Sequence, residues 1–206
     1  MQPCASPVSR MKTERPFVVV VAGGTASGKS TIVGRFVAET RATHLGHDRY
    51  YWDVPVSEGH DFDHPDALDT DRLVSDLERL RSGKSAELPV YDFASHSRTD
   101  RVERVEPSAI IVVEGILVLA DQRLAKLADL AVYVDAPESV RFARRLARDV
   151  TERGRTEASI RAQYEATVKP NHDRFVEPSR ARADLILDGT AETDTSVAML
   201  RSHIPS

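Results

Sequence analysis

The longest unbroken apolar runs in the chain are short, rich in β-branched residues and separated by amphipathic stretches of helical length. Phe17 to Ala22 is the clearest of them. It ends in two glycines and predicts a strand buried on both faces. Ala109 to Val113 and Leu130 to Val134 repeat the pattern, Asp184 to Leu187 is a shorter version and Ala42 to Leu45 a weak one. Between these runs the period changes to that of a helix. Ser30 to Glu39 follows the glycines directly, and Thr70 to Arg81 sets Leu73, Leu77 and Leu80 on one face. Pro137 stands where a helix start tolerates proline and opens Glu138 to Val150. Glu157 to Val168 ends before Lys169-Pro170, and Thr193 to His203 forms a last helix. Strands alternating with helices predict a doubly wound α/β sheet of about five parallel strands flanked by helices, with ligands at the carboxyl ends of the strands. Pro89 to Phe93 and Thr99 to Val105 predict a small β-hairpin at that rim.

The glycines after the first strand belong to a phosphate-loop pattern, Gly23-Gly24-Thr25-Ala26-Ser27-Gly28-Lys29-Ser30, followed by Thr31. Such a loop turns backbone N–H groups inward around phosphate oxygens, and the helix behind it adds a favourable dipole. Lys29 is placed to reach the β- and γ-phosphates of a nucleoside triphosphate, ATP or GTP, and the Ser30 hydroxyl to meet Mg²⁺. The bland alternative is a glycine-rich turn with no ligand, which the strand and helix on either side make a poor account. Ile110 to Glu114 delivers a carboxylate to the end of a buried strand, where it can hold Mg²⁺ directly or through water.

Composition narrows the setting. At 206 residues and 41% hydrophobic the chain supports one sizeable core, read as a single domain over residues 16–206 behind a disordered leader over residues 1–15. A net charge of −4 offers no general attraction to nucleic acid. Cys4, the only cysteine, excludes an intrachain disulfide, and no apolar run suits a signal peptide or a membrane span. These features predict a cytoplasmic protein with no membrane or nucleic-acid partner.

A triphosphate site alone fits a kinase, a GTPase switch or an ATPase module. The guanine-reading Asn-Lys-x-Asp is absent, since the only asparagine is Asn171 and His172 follows it, and there is no Asp-x-x-Gly. A motor ATPase would need domains for which this length has no room. A kinase needs a base or orienter for the acceptor hydroxyl and cations for the transferred phosphoryl group. Asp48, after the weak second strand, is a candidate base, with an ordinary loop aspartate as its alternative. Arg144, Arg145 and Arg148 are spaced for one helix face and lead into Glu152-Arg153-Gly154-Arg155. This is either an arginine-rich lid over phosphates or a solvated face paired with Asp149, Glu152 and Glu157.

From Phe17 to about Thr190 the residues resemble the uridine kinase (uridine-cytidine kinase) family. The likeness is carried, in order, by Gly23 to Ser30, Asp48 to Tyr51, Phe62-Asp63-His64-Pro65-Asp66-Ala67, and Pro89 to Phe93 with His96 and Arg98. Glu114 to Leu117, Arg144-Arg145 leading to Glu152 to Arg155, Gln163-Tyr164 and Val168-Lys169-Pro170 complete it. The resemblance implies ATP-dependent phosphorylation of the 5′-hydroxyl of uridine and cytidine. It implies Asp48 as base, with Ser30 and Glu114 also near the metal, and Asp63 on the ribose hydroxyls. Tyr91, Phe93 and His96 would form the pyrimidine pocket, Arg145, Arg155 and Gln163 would contact the nucleoside, and Arg148 and Arg153 would face the phosphates. It also implies a homo-oligomer, commonly a tetramer. Three departures stand out: Asp61 where the family usually has asparagine, a short stretch from Trp52 to His60, and Asp188-Gly189-Thr190 where the family usually has Pro-x-Gly-Gly. A phosphoribulokinase-like or pantothenate-kinase-like enzyme and a non-catalytic nucleotide-binding regulator are the alternatives.

Overall fold

A computed structural model describes residues 15–53, 61–92 and 97–205. Its main sheet has five parallel strands in the order β2-β5-β1-β6-β7. These are β1 (Phe17–Ala22), β2 (Thr43–Gly46), β5 (Ile110–Glu114), β6 (Leu130–Asp135) and β7 (Leu185–Asp188). β1 is central, pairing Val18 with Ile111 on one side and Val20 with Ala131 on the other. All five predicted strands are present with ends moved by a residue, and the first coincides with its expected span.

The unbroken valine run of β1 has a direct structural reason. Val18 and Val20 point into a core shared with Leu73, Leu77 and Leu80 of α2 (Thr70–Arg81) and Leu124 of α3 (Gln122–Leu127). Val19 and Val21 point to the opposite face, against Ile32, Val33 and Phe36 of α1 (Lys29–Thr40) and Val197 and Leu200 of α8 (Thr193–Ser202). No position of β1 from Val18 onward meets water, and each buried valine contributes about 1.5–3 kcal/mol. The predicted hairpin is β3 (Ala86–Asp92) paired antiparallel with β4 (Ser97–Val105), a separate two-stranded sheet.

Two features depart from the sequence reading. Helix α3 was not expected; it is a single short helix whose N-cap Asp121 accepts from the backbone of Arg123 and Leu124. The helix from Glu157 does not stop at Lys169-Pro170. After α5 (Glu157–Gln163) the chain takes a π turn over Tyr164–Val168, the α turn α6 (Lys169–Asn171), a second π turn over His172–Val176, and α7 (Glu177–Ser179), ending in a 3₁₀ turn at Arg182. Pro170 and Pro178 each follow a π turn by two residues. Widening the hydrogen-bond register lets the chain carry a residue without N–H and continue, where an ordinary helix would break.

The described residues include the last of the expected leader. Arg15 donates both guanidinium ends to Asp129 at 2.7 Å, beside the start of β1; residues 1–14 lie outside the described set. Among the described residues no helix is long and apolar enough to cross a membrane.

Candidate active site

Beyond Ala22 the backbone turns through Gly23 (φ 150°), Ala26 (φ 57°) and Gly28 (φ 103°), and Ser27 N–H donates to Gly24 O at 3.1 Å. No side chain caps α1 and no acid stands in its first turn, so its leading N–H groups are left for an anion. Two glycines are fixed by close approach. A β-carbon at Gly24 would lie 2.7 Å from Arg141 Nη1 and 3.0 Å from His172 Cε1, and one at Gly189 only 2.0 Å from Ser27 O. The loop is therefore gripped from behind by α4 (Glu138–Thr151) and from the side by the segment after β7. Arg144 Nη1 ties these supports together, donating to Gly189 O at 2.8 Å and to Ser27 O at 3.4 Å. Because Ser27 O is backbone and cannot swing away, Gly189→Ala is expected to raise the KM for ATP about tenfold, with the KM for the acceptor within about threefold. Steady-state kinetics with each substrate varied in turn checks this.

The predicted donor-side residues converge. Lys29 is half-buried, and its ammonium is pushed below the usual lysine range first by loss of hydration. Repulsion from Arg148 adds to this, while Glu114, Asp48 and Asp63 oppose it by attraction. Glu114 is kept below the ordinary range: burial pushes it up, but hydrogen bonds from His44 and Ser30 and the charge of Lys29 outweigh that. Asp48 lies in the short 3₁₀ turn His47–Tyr50 after β2, open to solvent on one side. Its carboxyl is pushed up by desolvation and by Glu114, against the pull of Lys29. Sequence reasoning missed His44, whose Nε2 lies 3.4 Å from Glu114 Oε1. Its outward position on β2, paired beside β5, was the available signal.

Magnesium fits these groups. Glu114 Oε2 is buried with no hydrogen-bond partner among the described residues, near the Ser30 hydroxyl and Asp48. Among the described residues no group of three or more His, Cys, Asp or Glu could hold a metal unaided. A Mg²⁺ ion held by one or two carboxylates and the nucleotide's own phosphates requires none.

On the acceptor side, Asp63 is buried and its carboxyl is pushed up by desolvation and by Asp61, against Arg145, Lys29 and Arg148. Asp61 clamps this turn. Its Oδ1 accepts from Asp63 N–H at 3.1 Å, and its Oδ2 accepts from Asn171 Nδ2 at 2.6 Å, across to the π-interrupted helix. An aromatic wall stands beside it: Tyr51 meets Phe62 edge-on at 5.5 Å between ring centres and Tyr91 at 5.4 Å, and its hydroxyl donates to Phe62 O at 3.0 Å. Tyr51 and Phe62 were not among the predicted pocket residues, although both lie in segments that carried the resemblance. Phe93 and His96, assigned to the same pocket, lie outside the described residues.

The arginines of α4 are neither a solvated face nor a single stripe. Arg145 is buried, with Nη1 on Thr25 Oγ1 at 3.1 Å and Nη2 on Gln163 Oε1 at 3.0 Å; Arg155 reaches the same Gln163 oxygen at 2.6 Å. Arg148 and Arg153 turn toward Asp149, which is fully buried. Arg141 was missed as well. It packs against Gly24, donates to Ala136 O at 3.1 Å and meets His172 Nε2 at 3.0 Å.

A five-stranded parallel sheet, a glycine loop closing on Lys29, and three carboxylates and Arg148 within electrostatic reach of that lysine define a P-loop phosphotransferase. The sequence model of the Phosphoribulokinase / Uridine kinase family matches residues 18–196, and the chain belongs to that family. A uridine kinase of Chloroflexus aurantiacus is 42% identical over 197 residues, 92% of this chain and 94% of its own length. One from Limosilactobacillus reuteri is 40% identical over 205 residues, 96% and 94% respectively. Among solved structures, the phosphoribulokinase of Rhodobacter spheroides shares the fold, with a TM-score of 0.62 at 14% identity over 87% of this chain and 74% of its own.

Proposed function

We propose that the chain transfers the γ-phosphoryl group of ATP, or GTP, to the 5′-hydroxyl of uridine and cytidine, giving UMP and CMP. The observation that carries this reading is that Asp48 and Asp63 both lie within electrostatic reach of Lys29 beside the glycine loop. The three supply a cation for the donor phosphates, a carboxylate open to an incoming hydroxyl, and a buried carboxylate suited to two vicinal hydroxyls. The relatives named uridine kinase support the choice of acceptor. Pyrimidine salvage in the cytoplasm and assembly as a tetramer belong to the same reading.

In this mechanism Asp63 accepts hydrogen bonds from the ribose 2′- and 3′-hydroxyls and thereby fixes the 5′-hydroxyl. Asp48 accepts its proton as the oxygen attacks the γ-phosphorus and the bond to the β,γ-bridging oxygen breaks, releasing ADP. Lys29, Arg148 and Arg153 meet the charge on the transferring group and on the leaving phosphate. Bound through Ser30, Glu114 and Asp48, Mg²⁺ would neutralise phosphate charge. Arg145, Arg155 and Gln163 hold the nucleoside, and the Tyr51–Phe62–Tyr91 wall offers a flat apolar surface to its base.

The test is ADP release from ATP and Mg²⁺ across a panel of nucleosides, ribulose 5-phosphate and pantothenate. Turnover with uridine and cytidine is expected, and turnover confined to either of the other acceptors would overturn the reading. Asp63→Ala is expected to raise the uridine KM by on the order of 10-fold or more and to weaken discrimination against 2′-deoxyuridine, because the clamp positions the hydroxyl without sharing its proton. An unchanged ribose preference would remove Asp63 from the sugar site.

A further inference from the structure

Asp149 lies near the C-terminal end of α4, fully buried, and four arginines meet it. Burying a carboxylate is costly unless cations accompany it. Here they divide between its two oxygens. Oδ1 accepts from Arg148 Nε at 2.9 Å and Nη2 at 2.8 Å, and Arg153 Nη1 lies 3.6 Å from it. Oδ2 faces Arg145 Nε at 3.6 Å and Arg155 Nη1 at 3.7 Å. The division follows the proposed assignment of the arginines to the two substrates, with Arg145 Nη1 also bonded to Thr25 of the phosphate loop at 3.1 Å. The first pair is assigned to the phosphates of the donor, while the second pair shares Gln163 Oε1 on the nucleoside side. The backbone joins in: Arg155 N–H donates to Asp149 O at 3.1 Å, folding the loop that carries Arg153 and Arg155 back onto α4.

We infer that Asp149 is a positioning residue that couples the donor and acceptor sites, one carboxylate oxygen serving the arginines of each. The inference rests on the assignment of the two arginine pairs to donor and nucleoside made above. A substrate that draws one pair of guanidiniums into register fixes the carboxylate between them, and the fixed carboxylate orders the other pair. The second substrate then meets a site already assembled and binds more tightly. Such coupling is reciprocal, so each substrate favours the other by the same factor.

The experiment is calorimetric titration of uridine with and without Mg²⁺ and the non-hydrolysable analogue β,γ-imido-ATP, and of the analogue with and without uridine. In the wild-type protein each is expected to bind about tenfold more tightly when the other is present. In Asp149→Asn that factor is expected to fall within about twofold, while the analogue alone binds no more weakly, because a negative charge has been removed beside the phosphate arginines. A purely structural role would instead weaken both separate affinities together. Wild-type coupling retained in Asp149→Asn, or a joint collapse of both affinities with a lowered Tm, overturns the inference. Should that variant not fold, Arg155→Gln, at a side chain 30% exposed, is measured in its place. Its coupling is expected to fall likewise with the affinity for the analogue alone kept within about twofold, and coupling intact there overturns the inference equally. Wild-type protein that binds both ligands without coupling removes the inference alone. Wild-type protein that binds neither uridine nor cytidine removes the acceptor assignment with it.

Discussion

Lys29→Ala is expected to lower kcat by at least about 1,000-fold, roughly 4 kcal/mol of transition-state stabilisation. Lys29 is the only cation in the loop from Gly23 to Thr31, and its ammonium stands among Glu114, Asp48 and Asp63. Arg148 and Arg153, assigned to the same phosphates, are also held by Asp149 and lie outside the loop, so neither takes over the position of Lys29. Loss of hydration already disfavours the charged ammonium in the folded protein, which offsets the attraction that Glu114, Asp48 and Asp63 lose when it is removed. Tm is therefore expected to stay within about 2 °C of wild type or to rise slightly, with the fold kept. Single-turnover kinetics and thermal unfolding measure the two effects, and activity above a hundredth of wild type would contradict the role given to Lys29.

Asp48→Asn is expected to cost about 100-fold or more in turnover with the uridine Kd nearly unchanged. The amide keeps the shape of the carboxylate and loses its capacity to take a proton. Asp48 is also the carboxylate of the cleft that remains open toward an acceptor, whereas Asp63 is buried in its turn and Glu114 is engaged by His44 and Ser30. Unchanged turnover with weakened uridine binding would make Asp48 a binding residue and place the base elsewhere.

The parts of this site that sequence made visible are those built from neighbours in the chain. Six consecutive apolar residues followed by glycines and a lysine specify a buried strand, a tight loop and a helix, and all three are where the pattern puts them. Helix α2 has its expected bounds because Leu73, Leu77 and Leu80 repeat at helical spacing and Asp69 caps its start. Residues whose role depends on distant partners were not visible in that way. Arg141, Arg145 and Asp149 are charged residues on a strongly amphipathic helix, and local pattern puts charge in water; the P-loop, Gln163 and the turn after α4 bury them instead. The bond from Asn171 to Asp61 spans 110 positions. A hint was present in the chain's single asparagine, Asn171. Proline reads as a helix stop because it breaks i→i−4 bonding, and no local signal announces the π turns that carry Pro170 and Pro178.

The central position of β1 sets a constraint on synthesis. Phe17 pairs with Ile110 and Val19 with Leu130, so the first strand emerges from the ribosome long before either neighbour exists. At about 5–20 residues per second that wait is on the order of 5–20 s. For its duration Val18-Val19-Val20-Val21 is an unpaired β-branched segment with no charge among its four residues, the kind that seeks another strand edge. Chains truncated before β6 leave one edge of this strand unpaired and are expected to aggregate more readily than the full chain.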